Sequence, residues 1–217
     1  MKTPFTADQF YDVFKQYNSS VFPAQLIILF LGVAALFLIF SEKPYKSKVT
    51  AGFIGVLWIW MGLIYHIAFF AEINKAAYLF GFIFILQGIL ILINSFNNRL
   101  VFSYKPESNM YFGLFFILFG LIIYPAIGFF IHTTAFPVIS LGLPCPTTIF
   151  TLGFFMLANT RFPGYLLIIP SLWALVGLSA AFNFGIYQDI MILAAALTAF
   201  IYRLLQNKIV KVPIWRS

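Results

Sequence analysis

The run Leu143-Pro144-Cys145-Pro146-Thr147-Thr148-Ile149-Phe150-Thr151 gathers the side chains in this sequence best suited to chemistry. Cys145, Thr148 and Thr151 recur every three residues, so they share roughly one face of a helix. Two hydroxyls on one face can hold a small solute. A thiolate beside them can bind a soft metal, provided imidazoles such as His66 and His132 join it. The plainer reading is that Pro144 and Pro146 preset a helix's first turn, where a missing N–H is no loss, and Cys145 is a small packing residue. His66, in Leu63-Ile64-Tyr65-His66, carries the side chain that titrates nearest neutrality and suits a proton, an anion or a metal. Gln87 stands alone midway along an apolar segment, where it either lines a path or bonds one helix to another. Gln25 follows Phe22-Pro23-Ala24 near the start of another segment. Ligand binding is therefore expected at Gln25, His66, Gln87, Thr148 and Thr151, with Cys145 as the candidate metal ligand. Glu72 and Asp189 read as acids that cap helices or face water. No Ser/His/Asp set, HExxH, Gly-rich phosphate loop or pair of intramembrane carboxylates occurs, so no catalytic residue, enzyme activity or cofactor is expected.

The elements that must position these residues follow from composition. Of 217 residues, 62% are hydrophobic and 9% charged, with a mean hydropathy of +0.98. A soluble domain carries roughly 25% charged residues, which rules out a water-soluble globular fold. The charges cluster between long apolar runs, and the alternating segments of a β-barrel are missing. Seven apolar segments can be drawn, over 21–40, 49–70, 76–96, 110–131, 143–158, 164–182 and 187–205. Most reach the ~20 residues that cross a bilayer, and the fifth is short. The expectation is an all-α, seven-transmembrane-helix bundle forming one membrane domain over 1–217, with connections too short for a soluble head.

Ahead of the first segment, Thr6 and Gln9 can form a capping box, and Phe5 can staple against Phe10. Residues 6–18 read as a short amphipathic helix in the interface. Its balanced charge, the long apolar run after it and the missing small-residue cleavage site argue against a signal peptide. A single cysteine excludes an internal disulfide framework.

Net charge is +7, but the cations sit between spans rather than on a soluble domain, so the expected partner is the lipid bilayer and not nucleic acid. With seven spans, Lys43, Lys46, Lys48, Arg99, Lys105, Arg161, Arg203, Lys208, Lys211 and Arg216 lie on one side, and Lys2, Lys15 and Lys75 on the other. The positive-inside rule then places the N-terminus outside and the C-terminus in the cytoplasm. In that orientation Gln25, His66, His132, Thr133, Thr134, Cys145, Thr147, Thr148, Thr151, Asn183, Gln188 and Asp189 gather toward the outer leaflet. The pattern predicts an outward-facing polar vestibule closed below by a dry layer.

An internal repeat is also readable. Pro23, Ile28, Leu31, Gly32 and Leu36 fall on Pro144, Ile149, Leu152, Gly153 and Leu157, and Leu57, Trp58, Gly62, Leu63 and Phe69 fall on Leu172, Trp173, Gly177, Leu178 and Phe184. The third pair of segments fits poorly. A three-plus-one-plus-three parallel repeat would result, a layout similar to that of small sugar-exporting and proline-glutamine-loop transporters, although architecture alone assigns no function.

Two further resemblances rest on short motifs. The Cys145-Pro146 pair resembles the intramembrane Cys-Pro element of metal-pumping ATPases, over two or three residues only and without their soluble domains. Phe5-Thr6 with Gln9-Phe10, Tyr17-Asn18, Pro23-Ala24-Gln25, Tyr65-His66, Ile73-Asn74-Lys75-Ala76-Ala77 and Pro144 to Thr151 resemble a family of bacterial multi-pass membrane proteins known only as a domain of unknown function. That resemblance implies a bacterial inner (plasma) membrane location and carries over no site residue. A microbial rhodopsin is excluded, because 187–205 holds no lysine for a Schiff base. The leading expectation is a small-solute or ion transporter or channel-like protein. The alternatives are a non-transporting sensor or accessory module binding a ligand or partner subunit, and metal handling through Cys145. Oligomeric state is open.

Overall fold

The computed structural model describes residues 4–103, 108–131, 139–159 and 162–210. His132, Thr133, Thr134 and the cations Lys2, Lys105, Arg161, Lys211 and Arg216 lie outside them. Among the described residues the chain is helical and without strands, apart from one isolated bridge between Phe102 and Ala158.

The first helix, α1 (Ala7–Val21), starts where the sequence can satisfy its free N–H groups. The Thr6 hydroxyl accepts from the Gln9 amide and the Gln9 side chain accepts from the Thr6 amide, a complete capping box, and Asp8 sits in the first turn. An 85° bend separates α1 from α2 (Ala24–Leu38). Next comes α3 (Lys46–Trp60), which continues as a π-helix over Met61–Phe69 and a short turn over Phe70–Glu72 before α4 (Ala77–Phe96) returns antiparallel. After α5 (Ser108–Leu118) a second π-helical stretch, Phe119–Ile123, leads into α6 (Tyr124–Ile131). Then follow α7 (Pro144–Met156), α8 (Ile168–Phe184) entered through Gly164–Leu167, and α9 (Ile190–Val210) entered through Tyr187–Asp189.

Five of these helical stretches are long and apolar enough to cross a membrane: Lys46–Glu72, Ala77–Phe96, Met110–Phe130, Gly164–Phe184 and Tyr187–Leu205. The bent pair of α1 and α2 makes a sixth if taken as one span. Among the described residues a count of seven is not reached by length and composition, and with the bent pair taken as one span the fifth segment of the sequence reading is where the shortfall lies. Helix α7 has 13 residues, about 20 Å at 1.5 Å per residue against ~30 Å of hydrocarbon. It is also the most enclosed helix: every residue from Pro144 to Met156 is buried except Cys145, which is half-buried. Its even, all-round apolarity is what a central core helix needs.

Outward-facing surfaces are the reverse of a soluble protein's. Phe30, Phe37, Phe96, Phe130 and Phe182 are all exposed, Phe130 by 78%, while Gln87, His66, Thr148 and Thr151 are fully buried. Apolar exposure on this scale fits a membrane protein.

Two hairpins built on close glycine contacts form the frame. A Cβ on Gly88 would lie 2.5 Å from the carbonyl oxygen of Gly55, and one on Gly62 would lie 2.6 Å from that of Gly81, so α3 with its π-segment meets α4 backbone to backbone. In the second hairpin, a Cβ on Gly153 would lie 2.7 Å from the Gly113 oxygen and one on Gly120 2.5 Å from the Pro146 oxygen. Small residues at such crossings allow dispersion contacts where lipid supplies no hydrophobic drive. Each of these glycine-spaced hairpins carries a π-helical stretch.

Candidate functional site

The two π-helical stretches place the side chains that matter most. Such stretches shift the register of a helix by a residue and often occur at functional sites. The first carries His66. Directly after the second comes Tyr124, whose hydroxyl donates a hydrogen bond to Asp189 Oδ1. From α7, the Cys145 Sγ donates to Asp189 Oδ2 at 3.3 Å. The carboxylate reaches them because Gly185, at φ 71°, ends α8 in a left-handed turn that only glycine adopts without strain, and the chain reverses through Tyr187–Asp189 into α9. Asp189 thus stands immediately before α9, where the positive end of the helix dipole favours an anion. It is 1% exposed.

Above this trio opens a cavity of about 200 Å³ whose walls include Tyr65, Phe70, Phe80 and Trp173, with Asp189, Cys145 and Tyr124 among its lining. Its roof is the start of the chain. Phe10 stacks on Phe184 at 4.5 Å between ring centroids, Phe5 on the same ring at 5.4 Å, and Phe14 on Tyr65 at 5.8 Å. Three hydrogen bonds tie the roof down: Tyr11 Oη to the Phe184 carbonyl (2.9 Å), Tyr17 Oη to the Gly142 carbonyl (2.9 Å), and Trp60 Nε1 to Tyr17 Oη (2.7 Å). The amphipathic face of α1 therefore rests on the protein's own aromatic rings.

The residues singled out from the sequence scatter. Cys145 alone lines this cavity. His66 lies one layer away, ringed by Phe84, Tyr65, Trp173, Phe80 and Phe70 at 4.5–6.2 Å, and neither ring nitrogen has a hydrogen-bond partner. Trp173 touches both, packing against His66 and lining the cavity. Gln87 donates to the Leu166 carbonyl at 2.9 Å and so bonds α4 to the turn ahead of α8. Thr148 and Thr151 donate back to the carbonyls of Pro144 and Thr147 on their own helix, both at 2.7 Å. Gln25 donates to the Asn18 carbonyl at 2.6 Å, at a separate groove also lined by Leu121 and Pro125. The polar set read as one outward vestibule is thus divided among internal bonds, and the cavity near it is mostly apolar, with many aromatic rings in its wall. Asp189, read as a cap or a water-facing acid, is buried.

Thr151 has a structural task that can be measured. It accepts from Trp58 Nε1 at 3.0 Å, and Trp58 is fully buried. Thr151→Val leaves that N–H without an acceptor and is expected to lower stability by about 1–3 kcal/mol, whereas Thr148→Val, which breaks only a bond within its own helix, lowers it by less. Thermal melts of the two variants in detergent make the comparison.

Residues 7–212 match the family described as "Family of unknown function (DUF6064)". The chain belongs to that family. No curated protein and no solved structure matches it. The DUF6064 match covers nearly the whole chain, the cavity residues from α1 to α9 included, and assigns none of them a role.

What the trio can do follows from its donors and acceptors. An ionised carboxylate offers about four lone-pair positions, of which Tyr124 and Cys145 use two. Both partners are neutral, so the ionised form would leave its charge for something in the cavity to answer. Among the described residues no three His, Cys, Asp or Glu side chains come together to hold a metal ion, and Cys145 hydrogen-bonds to the Asp189 carboxylate. A metal site there would need a further ligand from elsewhere.

Proposed function

We propose that the protein is a multi-pass plasma-membrane protein that binds a small solute or ion in the Asp189 cavity and carries it across. The observation that supports this is the buried carboxylate itself. An acid within an apolar helical span is costly and serves, by default, as part of a substrate or ion path. Membrane crossing is supported by the exposed apolar faces, and a seventh crossing would be α7 held inside the bundle, with the N-terminus outside, the C-terminus cytoplasmic and α1 lying along the outer interface over the cavity.

Transport is tested by uptake of labelled amines, amino acids, sugars and inorganic ions into proteoliposomes. At least one class is expected to accumulate, with Asp189→Asn lowering the rate more than about tenfold, the loss of a charged hydrogen-bonding group. A second reading, a sensor or accessory module, is favoured by the packing of α1 over the cavity and by the aromatic layer around His66 beside it. It is the reading that survives if solutes bind and none is taken up.

A further inference from the structure

We infer that the ligand of this cavity is an organic ammonium ion with a compact apolar body, its nitrogen on Asp189 and its body against the aromatic walls. The inference rests on the reading of the cavity as a ligand site and adds the chemical class. Three observations carry it. First, among the described residues the lining contains one carboxylate and no lysine, arginine or histidine, so the site has a single unbalanced acid. Second, the two partners of that acid, Tyr124 and Cys145, are donors that hold its oxygens in place without neutralising it. A buried carboxyl group avoids the cost of its charge by holding a proton or by pairing with a cation, and a cationic ligand supplies the pair. Third, the rest of the wall is chiefly apolar, with aromatic rings as its largest part beside aliphatic residues and the polar Asn74 and Ser179. Trp173, Tyr65 and Phe70 surround the space beside Asp189, and aromatic faces attract ammonium groups most where water is excluded.

Size narrows the class. An apolar cavity of roughly 150 Å³ holds a benzene molecule, and this one is about 200 Å³. A ring or short branched chain with one amino group fits, while a sugar would leave its hydroxyls facing carbon and an amino acid would bring a carboxylate next to Asp189. Inorganic cations are disfavoured for a different reason: beyond Asp189 the wall offers few oxygen atoms to replace their hydration.

The test uses shape-matched probes on the full chain in detergent: 2-phenylethylamine, its neutral counterpart 2-phenylethanol, and phenylacetate. Unfolding is followed thermally, since a ligand that binds the folded state raises its melting temperature. The amine is expected to stabilise at a concentration at least about tenfold below the alcohol, the ratio of one charge-assisted bond, and phenylacetate not at all. Asp189→Asn should bring amine and alcohol together, and Ala180→Leu, which fills the cavity from α8, should weaken both. The wild-type ratio decides the matter even if a variant fails to fold. If amine and alcohol stabilise equally and both are lost in Ala180→Leu, the cavity is a ligand site and the ammonium assignment is overturned. No stabilisation by any probe overturns the assignment together with the cavity reading. A lipid headgroup could supply the same ammonium. Repeating the titration in phosphatidylglycerol nanodiscs, with and without phosphatidylethanolamine, separates the sources, because competition by the ethanolamine lipid marks a headgroup and its absence a free amine.

Discussion

Asp189→Leu alone is expected to destabilise the protein by about 1–3 kcal/mol, and adding Tyr124→Phe is expected to recover that loss or exceed it. The reasoning starts from the hydrogen bonds. Leucine in place of Asp189 removes the acceptor of the Tyr124 hydroxyl, which is buried and carries the full penalty of an unmade bond. Phenylalanine at 124 removes the orphaned hydroxyl with little change of shape. What then remains is a protein freed of a buried acid, and exchanging buried charged groups for apolar ones of similar volume is often neutral or stabilising by about 1–4 kcal/mol. The two effects are strongly non-additive because the side chains touch. A structural role for the trio predicts the opposite, a double variant at least as unstable as the single one. Melting curves of the single and double variants distinguish these outcomes, and the double variant, stable and folded, should show no preference for a charged ligand. Stability recovered or gained in the double variant while ligand preference is lost is the mark of an acid kept for binding.

How much of this was legible beforehand varied with the physics behind each feature. Local rules worked where the cause is local: Thr6 and Gln9 do cap α1, and the long apolar runs over Lys46–Glu72, Ala77–Phe96, Met110–Phe130, Gly164–Phe184 and Tyr187–Leu205 are helices able to cross a membrane. Composition gave the helical apolar class. The Cys145/Thr148/Thr151 stripe shows the limit of periodicity. Its spacing is real, but a helix buried on every side has no solvent face, so the hydroxyls turn to their own carbonyls and to Trp58. The site itself is long-range. Tyr124 and Asp189 are 65 residues apart and Cys145 and Asp189 are 44 apart, and no motif links such distances. A signal was present all the same: an aspartate at the head of a 19-residue apolar span invites the question of what neutralises it. Its neighbours Asn183 and Gln188 made it look like part of a wet loop, and nothing in the sequence shows α1 folding back to cover that loop. His66 was visible as a residue but not its five aromatic neighbours, which come from four different elements or turns.

The frame that holds the cavity open depends on the glycine hairpins, and there the largest loss of stability is expected. In Gly88→Ala the new methyl group would sit 2.5 Å from the Gly55 carbonyl oxygen and 2.6 Å from Ile59 Cγ1. The first of these is backbone and has no rotamer to yield, so α3 and α4 must move apart along their shared length. Overpacking of this kind costs typically about 1–3 kcal/mol, and Gly88→Val, with two further carbons at the same contact, should exceed the upper value or abolish folding. Gly52, on the same hairpin, is the control: a Cβ there meets nothing within 4 Å, and Gly52→Ala should be neutral or stabilise by up to about 1 kcal/mol through helix propensity alone. The sole cysteine provides the readout. Cys145, in the first turn of α7, is half-buried against Asp189, so a bulky thiol-reactive fluorophore labels it as the bundle opens. The labelling midpoint should fall steeply for Gly88→Ala and stay in place for Gly52→Ala. Equal midpoints would mean that the two hairpin helices do not meet at their glycines, and the wall that carries His66 and Tyr65 would have no fixed position beside the carboxylate.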